Sequence, residues 1–348
     1  MKKMKAYALV RYGRPEVAFE VCEVPIPEPS DQEVLIQVEG FGLNFADVMA
    51  RLGLYEDAPP IPSVLGYDVV GTISRLGAKV KDFQVGDRVV ALTRFGGYAE
   101  YAIASPLACA RIHHSVSIAE ATALATQFCT AHYMIEKKMR VLPDDRLLIH
   151  SGAGGVGSAL IQLAKLKGAH VITTVGSHRK AEVARSLGAD EVIVYTEQDF
   201  KEAVESKYGR QSIHAAFDAI GGVHFRKSLS LLAPAGTICA YGVAENTRSK
   251  AGKLITGIKT LMGFGVLSPA LLLMNGRSFA GVNMLRVADH QPRLFKEILT
   301  ELIQLLEAKK ISPLVDAQNG GEYPAARLAE AHAHLEAGKS IGKIAIRL

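Results

Sequence analysis

What this 348-residue chain lacks narrows its chemistry first. Its four cysteines, Cys22, Cys109, Cys129 and Cys239, lie far apart with no Cys-x-x-Cys pair, which argues against a structural zinc site and against a disulfide framework. The eleven histidines supply no ligand cluster either. His113 and His114 are adjacent, and His332 and His334 lie on a predicted C-terminal helix, but none is spaced with Cys or Glu as metal ligands are; surface or capping positions are expected for them. Charge of one sign is scarce as well: the formal net charge is +5 with no dense Lys/Arg block, so nucleic-acid binding has no support. No apolar run reaches the length of a membrane span. The most apolar stretch, residues 261–274, is interrupted by Gly263, Gly265 and Pro269 and is expected to line a pocket or a subunit contact. The basic start MKKMKAYALVRYG is not followed by a long apolar core and a small-residue cleavage site, so a cytoplasmic location is expected.

What is present is the composition of an ordinary soluble enzyme, 49% hydrophobic and 22% charged, in a chain long enough for two domains. Short alternating segments between Gly, Pro and Asp turns occupy residues 33–38, 68–74, 87–91 and 97–103, the spacing of a small, partly open β-barrel. From about residue 125 the period changes to strand then helix, with strands near residues 146, 170, 191, 213, 237 and 279. Six such strands predict a doubly wound parallel sheet. Further on, Leu294, Phe295, Ile298, Leu299, Leu302, Leu305 and Leu306 form one stripe of a long amphipathic helix, and residues 340–348 end in a strand that can return to the barrel. The expected α/β chain is therefore divided into residues 1–124 with 287–348 for the barrel and residues 125–286 for the parallel sheet.

The strongest chemical signal is the run Ile149-His150-Ser151-Gly152-Ala153-Gly154-Gly155-Val156-Gly157, which joins a short apolar strand to a helix through glycines spaced Gly-x-Gly-x-x-Gly. Glycine lets the backbone turn tightly and approach a dinucleotide, and the N–H groups that open the next helix favour phosphate charge. The strand before it, the helical spacing after it and the second strand at residues 170–175 give the motif the context of a nicotinamide dinucleotide site. An NAD site ordinarily ends that second strand with Asp or Glu on the ribose hydroxyls. Here it ends Gly176-Ser177-His178-Arg179-Lys180, with no acid and two cations, so NADPH is the expected cofactor.

With these motifs in hand the chain resembles the medium-chain dehydrogenase/reductase superfamily, and within it the zinc-independent NADPH:quinone oxidoreductase branch. The resemblance spans nearly the whole chain. It is carried by GLNFADVMARLGLY (42–55), PSVLGYDVVGTI (62–73), VGDRVVAL (85–92), Thr130-Ala131, SGAGGVGSALIQLAKLKGA (151–169) and HLEAGKSIGKIAI (334–346). Residues 268–285 are further similar to the subgroup of VAT-type synaptic-vesicle membrane proteins. The resemblance implies a GroES-like barrel beside a Rossmann domain, a homodimer formed through the nucleotide domains, and a small electrophilic substrate. Where the zinc alcohol dehydrogenases carry a Cys followed three residues later by Asp, this chain has Asn44 and Asp47; where they carry Gly-His-Glu, it has Gly66-Tyr67-Asp68. Neither place offers a thiolate or an imidazole, so no metal is expected.

Residue by residue, the resemblance implies that Lys180, Gly176 and Ser177 hold a 2′-phosphate with Tyr195 beside it. It implies that Asn44, Thr130, Ile220, Gly221, Tyr241 and Gly242 line the nicotinamide end, joining the cradle of Gly152, Ala153, Gly154, Gly155, Val156 and Gly157. Tyr55 stands where similar reductases carry a Tyr that faces the nicotinamide, with Asn44 as its companion donor, and Met49 replaces a second Tyr. Other readings stay open at this point: Gly221-Gly222 as a strand cap, Tyr241 as a core aromatic, Tyr55 as a packed loop residue, and Lys339 and Lys343 as surface lysines. The expected reaction is hydride transfer from NADPH to a quinone or an α,β-unsaturated carbonyl. Enoyl-thioester reduction and a non-catalytic, NADPH-binding interaction protein of the VAT type are the alternatives.

Overall fold

The first part of the chain alternates inward apolar and outward polar residues, and each such segment forms a strand. The computed structural model describes residues 2–243, 264 and 268–348, and the chain divides into two units, Met1–Cys129 with Met284–Leu348, and Thr130–Asn283. In the first unit, β1 (Lys3–Leu9) turns Met4 and Ala6 inward and Lys3 and Lys5 outward, and pairs antiparallel with β2 (Phe19–Pro25) after the short helix α1 (Pro15–Ala18). There follow β3 (Val34–Leu43), α2 (Phe45–Arg51), β4 (Ser63–Val64), β5 (Asp68–Leu76), β6 (Arg88–Leu92), β7 (Tyr101–Ala104), β8 (Cys109–Arg111) and α3 (Ile118–Ala123). β3 is buried along most of its length because strands flank it on both sides. The helical run continues from α3 through a π-helical turn at Leu124–Phe128, α4 (Cys129–His132) and a second π-helical turn at Tyr133–Lys138.

In the second unit, strand and helix alternate: β9 (Arg146–His150), α5 (Gly155–Leu166), β10 (His170–Val175), α6 (His178–Ser186), β11 (Glu191–Val194), α7 (Phe200–Tyr208), β12 (Ile213–Asp218), α8 (Gly222–Leu231), β13 (Leu232–Ala240), α9 (Pro269–Asn275) and β14 (Ser278–Gly281). The six strands lie parallel in the order β11-β10-β9-β12-β13-β14. The order reverses between β9 and β12, the switch point at which such sheets bind ligands.

The chain then returns to the first unit through α10 (Met284–His290), α11 (Pro292–Glu307), β15 (Glu322–Pro324), α12 (Leu328–Glu336) and β16 (Ile344–Arg347). The inward stripe of α11 is Phe295, Ile298, Leu299 and Leu302. β16 pairs antiparallel with β3, completing a sheet ordered β15-β16-β3-β5-β6-β8 with β7 also on β3. Two surface expectations fail in this returning segment. His332 is fully buried: it shares the inward face of α12 with Leu328 and Ala331, at i, i+3 and i+4, and its Nε2 lies 3.3 Å from the Tyr98 hydroxyl. Lys343 is fully buried too, for a reason given below. His334 is largely covered, 3.3 Å from Asp316, whereas His113 and His114 are exposed. Among the described residues, no helix is long and apolar enough to cross a membrane. The 261–274 stretch lies partly outside the described residues; its described end, α9, leaves Leu271, Leu273 and Met274 exposed.

Candidate functional site

Within the second unit the glycines of the 149–157 run have distinct structural causes. A side chain at Gly152 would strike Thr173 Oγ1 of β10, and one at Gly157 would strike the Ser151 carbonyl oxygen. Ser151 itself adopts φ 59° to make the turn. Gly154 differs: a Cβ there would approach Ser151 O at 3.1 Å and little else, so protein packing alone leaves its glycine weakly accounted for. Gly154 is the N-cap of α5, and Gly155, Val156 and Gly157 form its first turn, where N–H groups have no intrahelical partner. Ala153 is buried under the loop.

At the end of β10, Ser177 caps α6 by accepting the Lys180 N–H at 3.4 Å. A side chain on Gly176 would lie 2.5 Å from the Tyr195 hydroxyl, so the glycine is what lets that ring cover the strand end. Gly176, Ser177, Lys180 and Tyr195 are thus brought together, with Lys180 half-buried and Arg179 exposed. One acid lies close by after all: Glu197 Oε1 is 2.7 Å from His178 Nε2 on the first turn of α6. At the end of β12, Asp218 Oδ1 accepts the N–H groups of Ile220 at 2.6 Å and Gly221 at 2.8 Å, and Tyr241 N donates to the Asp218 carbonyl. Gly221, at φ 83°, needs the left-handed conformation, and a side chain on Gly242 would press to 2.7 Å on the Ala219 carbonyl. Ile220, Gly221, Tyr241 and Gly242 therefore share one strand-end cluster. Burial, then Asp218 and Cys239, push the Tyr241 phenol up, so it stays protonated. Thr130 lies in α4 at the start of this unit.

The first unit holds Asn44, Tyr55 and a charged cluster that motif reading did not find. Asn44 is the N-cap of α2, its backbone N–H donating to Asp47 Oδ2 at 2.8 Å. Its side-chain Nδ2 donates to Asp68 Oδ1 at 2.8 Å, and its Oδ1 accepts from Lys343 Nζ at 2.9 Å. Lys343 Nζ also donates to Asp68 Oδ2 at 2.5 Å and lies 3.3 Å from Thr126 Oγ1. Thr126, on the first π-helical turn, is 3.0 Å from both Asn44 Oδ1 and Asp68 Oδ2. Lys343 and Asp68 are both fully buried, which overturns the surface reading of Lys343. The signal for this pair was a Lys and an Asp each embedded in an apolar strand segment, GKIAI and DVVGTI, which neither residue tolerates unpaired. Burial and the Asp68 carboxylate push the Asp47 carboxyl up to about 7, against the pull of the Asn44 N–H and the Lys343 ammonium.

Tyr55 follows α2 on a loop tied by Leu54 N to Met49 O at 2.8 Å, and packs half-buried against the barrel core. Burial, then Asp57 and Asp47, push its phenol up to about 12. It is therefore a donor at neutral pH, and among the described residues no hydrogen bond engages its hydroxyl. Tyr67, read from sequence only as a lost zinc ligand, is a second raised phenol near Asp47, Tyr55 and Asp68. Met49 is buried in α2.

Comparison with known proteins adds relatives to this geometry. A family model described as zinc-binding dehydrogenase matches residues 155–301, and one described as alcohol dehydrogenase GroES-like domain matches residues 30–114. Quinone oxidoreductase 1 of Escherichia coli is 30% identical over 317 residues, covering 90% of this chain and 93% of its own. The synaptic vesicle membrane protein VAT-1 homolog of Danio rerio is 30% identical over 340 residues, 98% of this chain and 69% of its own. The crystal structure of Escherichia coli quinone oxidoreductase complexed with NADPH superposes with a TM-score of 0.85 at 27% identity, covering 99% of this chain and 100% of that one. The zinc in the first description does not fit the residues present. The places of the lost ligands hold Asn44 and Tyr67, with no thiolate or imidazole, and the Lys343 ammonium already sits between the oxygens of Asn44 and of Asp68, the neighbour of Tyr67.

Proposed function

Since the chain belongs to the medium-chain dehydrogenase/reductase superfamily of oxidoreductases, in the branch of the quinone oxidoreductases and VAT-1 homologues, we propose that it reduces a quinone or an α,β-unsaturated carbonyl with NADPH and without zinc. The observation that carries this reading is the cradle at α5, where a Cβ on Gly154 would meet only Ser151, 3.1 Å from its carbonyl oxygen, while one on Gly152 or Gly157 would strike the protein's own packing. Gly152 to Gly157 then hold the pyrophosphate on main-chain N–H groups. Lys180, with Ser177, Gly176 and Tyr195, supplies the cation and hydroxyls for a 2′-phosphate, and Thr130, Ile220, Gly221, Tyr241 and Gly242 serve the nicotinamide end.

The cofactor's contribution, when bound, is a hydride. The chain's residues position the acceptor, exclude water and stabilise the oxygen that gains charge. Tyr55 donates its O–H to that oxygen. Asn44 has one Nδ2 hydrogen committed to Asp68 and offers the other as a fixed companion donor. The proposed oligomer is a homodimer: β14 is an outermost strand with Phe279 exposed, and α9 presents Leu273 and Met274.

The test is NADPH and NADH oxidation by the purified protein with 1,4-benzoquinone and a simple enone. Faster oxidation of NADPH supports the reading, and equal use of both cofactors removes the role of Lys180. Tyr55→Phe is expected to lower kcat by about 10²- to 10³-fold, the usual loss of one oxyanion donor. Tight NADPH binding with no turnover would favour a partner-binding role, to which the likeness to VAT-1 homologs over 98% of the chain lends support.

A further inference from the structure

Lys343 is anchored before its side chain begins: its backbone N–H donates to Leu314 O at 2.8 Å and its carbonyl accepts from Asp316 N at 2.9 Å. From there the stem runs into the interior, where three N–H directions meet three oxygens, those of Asp68, Asn44 and Thr126. The backbone of β3 makes room for it. A Cβ on Gly42 would lie 2.5 Å from both Cε and Nζ of Lys343 and would strike Asp68 Oδ2 as well. The cluster draws on β3, the N-cap of α2, β5, the π-helical turn and the segment leading into β16, so it is assembled only when both ends of the first unit have come together.

The arrangement does more than balance charge. With Nδ2 held by Asp68 and Oδ1 by Lys343, the Asn44 amide has one orientation, because exchanging its O and N would set an NH₂ against the ammonium and an oxygen against the carboxylate. We propose that the Lys343 ammonium is the resident cation of this site, standing among the places where related dehydrogenases hold zinc ligands, and that it acts as a positioning residue fixing Asn44 for the acceptor. The kinetic part of this inference rests on the reaction proposed above, whereas the charge and stability part does not.

The two parts separate in three variants, Lys343→Met, Asp68→Asn and the double Lys343→Met/Asp68→Asn. Lys343→Met strands a buried carboxylate and is expected to melt at a clearly lower temperature than wild type or not to fold, and the double variant is expected to recover most of that loss. In the double variant, kcat with NADPH and quinone is expected to fall about 10- to 100-fold, the range for misplacing a catalytic group, while KM for NADPH stays within about twofold. Adding Zn²⁺ to wild type should raise neither turnover nor melting temperature. Wild-type stability in Lys343→Met, or zinc stabilisation of wild type, overturns the resident cation. Wild-type kcat in a folded double variant overturns the positioning role. Absence of any NADPH turnover in wild type counts against the reaction proposed above, and the melting temperatures then decide the resident cation alone.

Discussion

The two units build polar sites from different materials. In the second unit the candidate site is mostly main chain: helix-opening N–H groups, a serine cap, glycines at strand ends, and the Asp218 carboxylate capped by two backbone N–H groups. Its fully buried histidine is neutral, His150 being lodged between Thr174 Oγ1 at 2.9 Å and Ser228 Oγ at 2.7 Å. In the first unit the site is side chain, and the interior carries full charges: Asp68 with Lys343, and Arg51, which reaches Glu336 at 2.5 Å. A main-chain site is written in consecutive residues, because backbone conformation is local. A side-chain site is written in residues far apart, because only folding brings them together. The two also fail differently: the first loses its ligand when the backbone is displaced, and the second loses its fold when a charge is left alone.

A matched pair of glycine variants breaks or sustains this contrast most sharply. In Gly157→Ala the new methyl meets the Ser151 carbonyl in the cradle, and NADPH affinity is expected to fall about 100-fold, about 2.7 kcal/mol. In Gly42→Ala the methyl meets the buried Lys343–Asp68 pair, with an expected loss of about 2–3 kcal/mol of stability and NADPH affinity within about twofold of wild type. Calorimetry with NADPH and urea unfolding followed by far-ultraviolet circular dichroism read the two; the chain has no tryptophan for fluorescence. Equal effects of both variants on both readouts would dissolve the distinction.

The same contrast explains what could be read from residue order. The strands expected near residues 146, 170, 191, 213, 237 and 279 are β9 to β14, and the central pair, β9 and β12, are apolar runs that the parallel sheet buries on both faces. The stripe through Phe295, Ile298, Leu299 and Leu302 was legible because helical periodicity is local. Lys343 was not, because nothing near it in sequence announces Asp68, which lies in another strand, or Gly42, which makes the space. His332 misled for a related reason: a histidine on a helix that also carries Glu residues is ordinarily outside, and Tyr98 and Phe19, far away in sequence, give it a place inside. The bonding of Asn44 was out of reach on the same grounds, since its side chain answers to Asp68 and Lys343 rather than to its neighbours.

Titration sharpens the comparison from another side, and of its two groups Asp47 has the larger expected effect. Its carboxyl, facing Asp68, Lys343 and Tyr98, titrates near 7 in the folded chain and near 4 when unfolded, so the native state binds the extra proton between those values. Its contribution is full below about pH 4 and is lost as pH rises through 7. Asp47→Asn removes that slope, so its stability relative to wild type should rise between pH 4 and 7 by up to roughly 4 kcal/mol and then level off. Urea midpoints at pH 4.5, 6 and 8 measure it; a constant difference would mean that Asp47 stays ionised beside Lys343.

His224, in the second unit, should respond with the opposite sign. Its ring stacks on Phe200 at 4.7 Å and meets His150 edge-on at 4.8 Å. Burial, then His150, lower its pKa to about 4, with Asp218 and Asp199 pulling up and Lys227 pulling down. The unfolded chain takes up this proton near pH 6.5, so the stability that His224 contributes is complete above that value and is lost as pH falls toward 4. His224→Phe keeps the stack on Phe200 and removes the titration. The variant should therefore gain on wild type as pH drops from 6.5 to 4.5, by about 1–2 kcal/mol at a site that is not fully shielded from solvent. Gaining instead toward high pH, as expected for Asp47→Asn, would mean that the imidazole is charged in the folded chain, and the neutral histidine pair assigned to the second unit would be wrong.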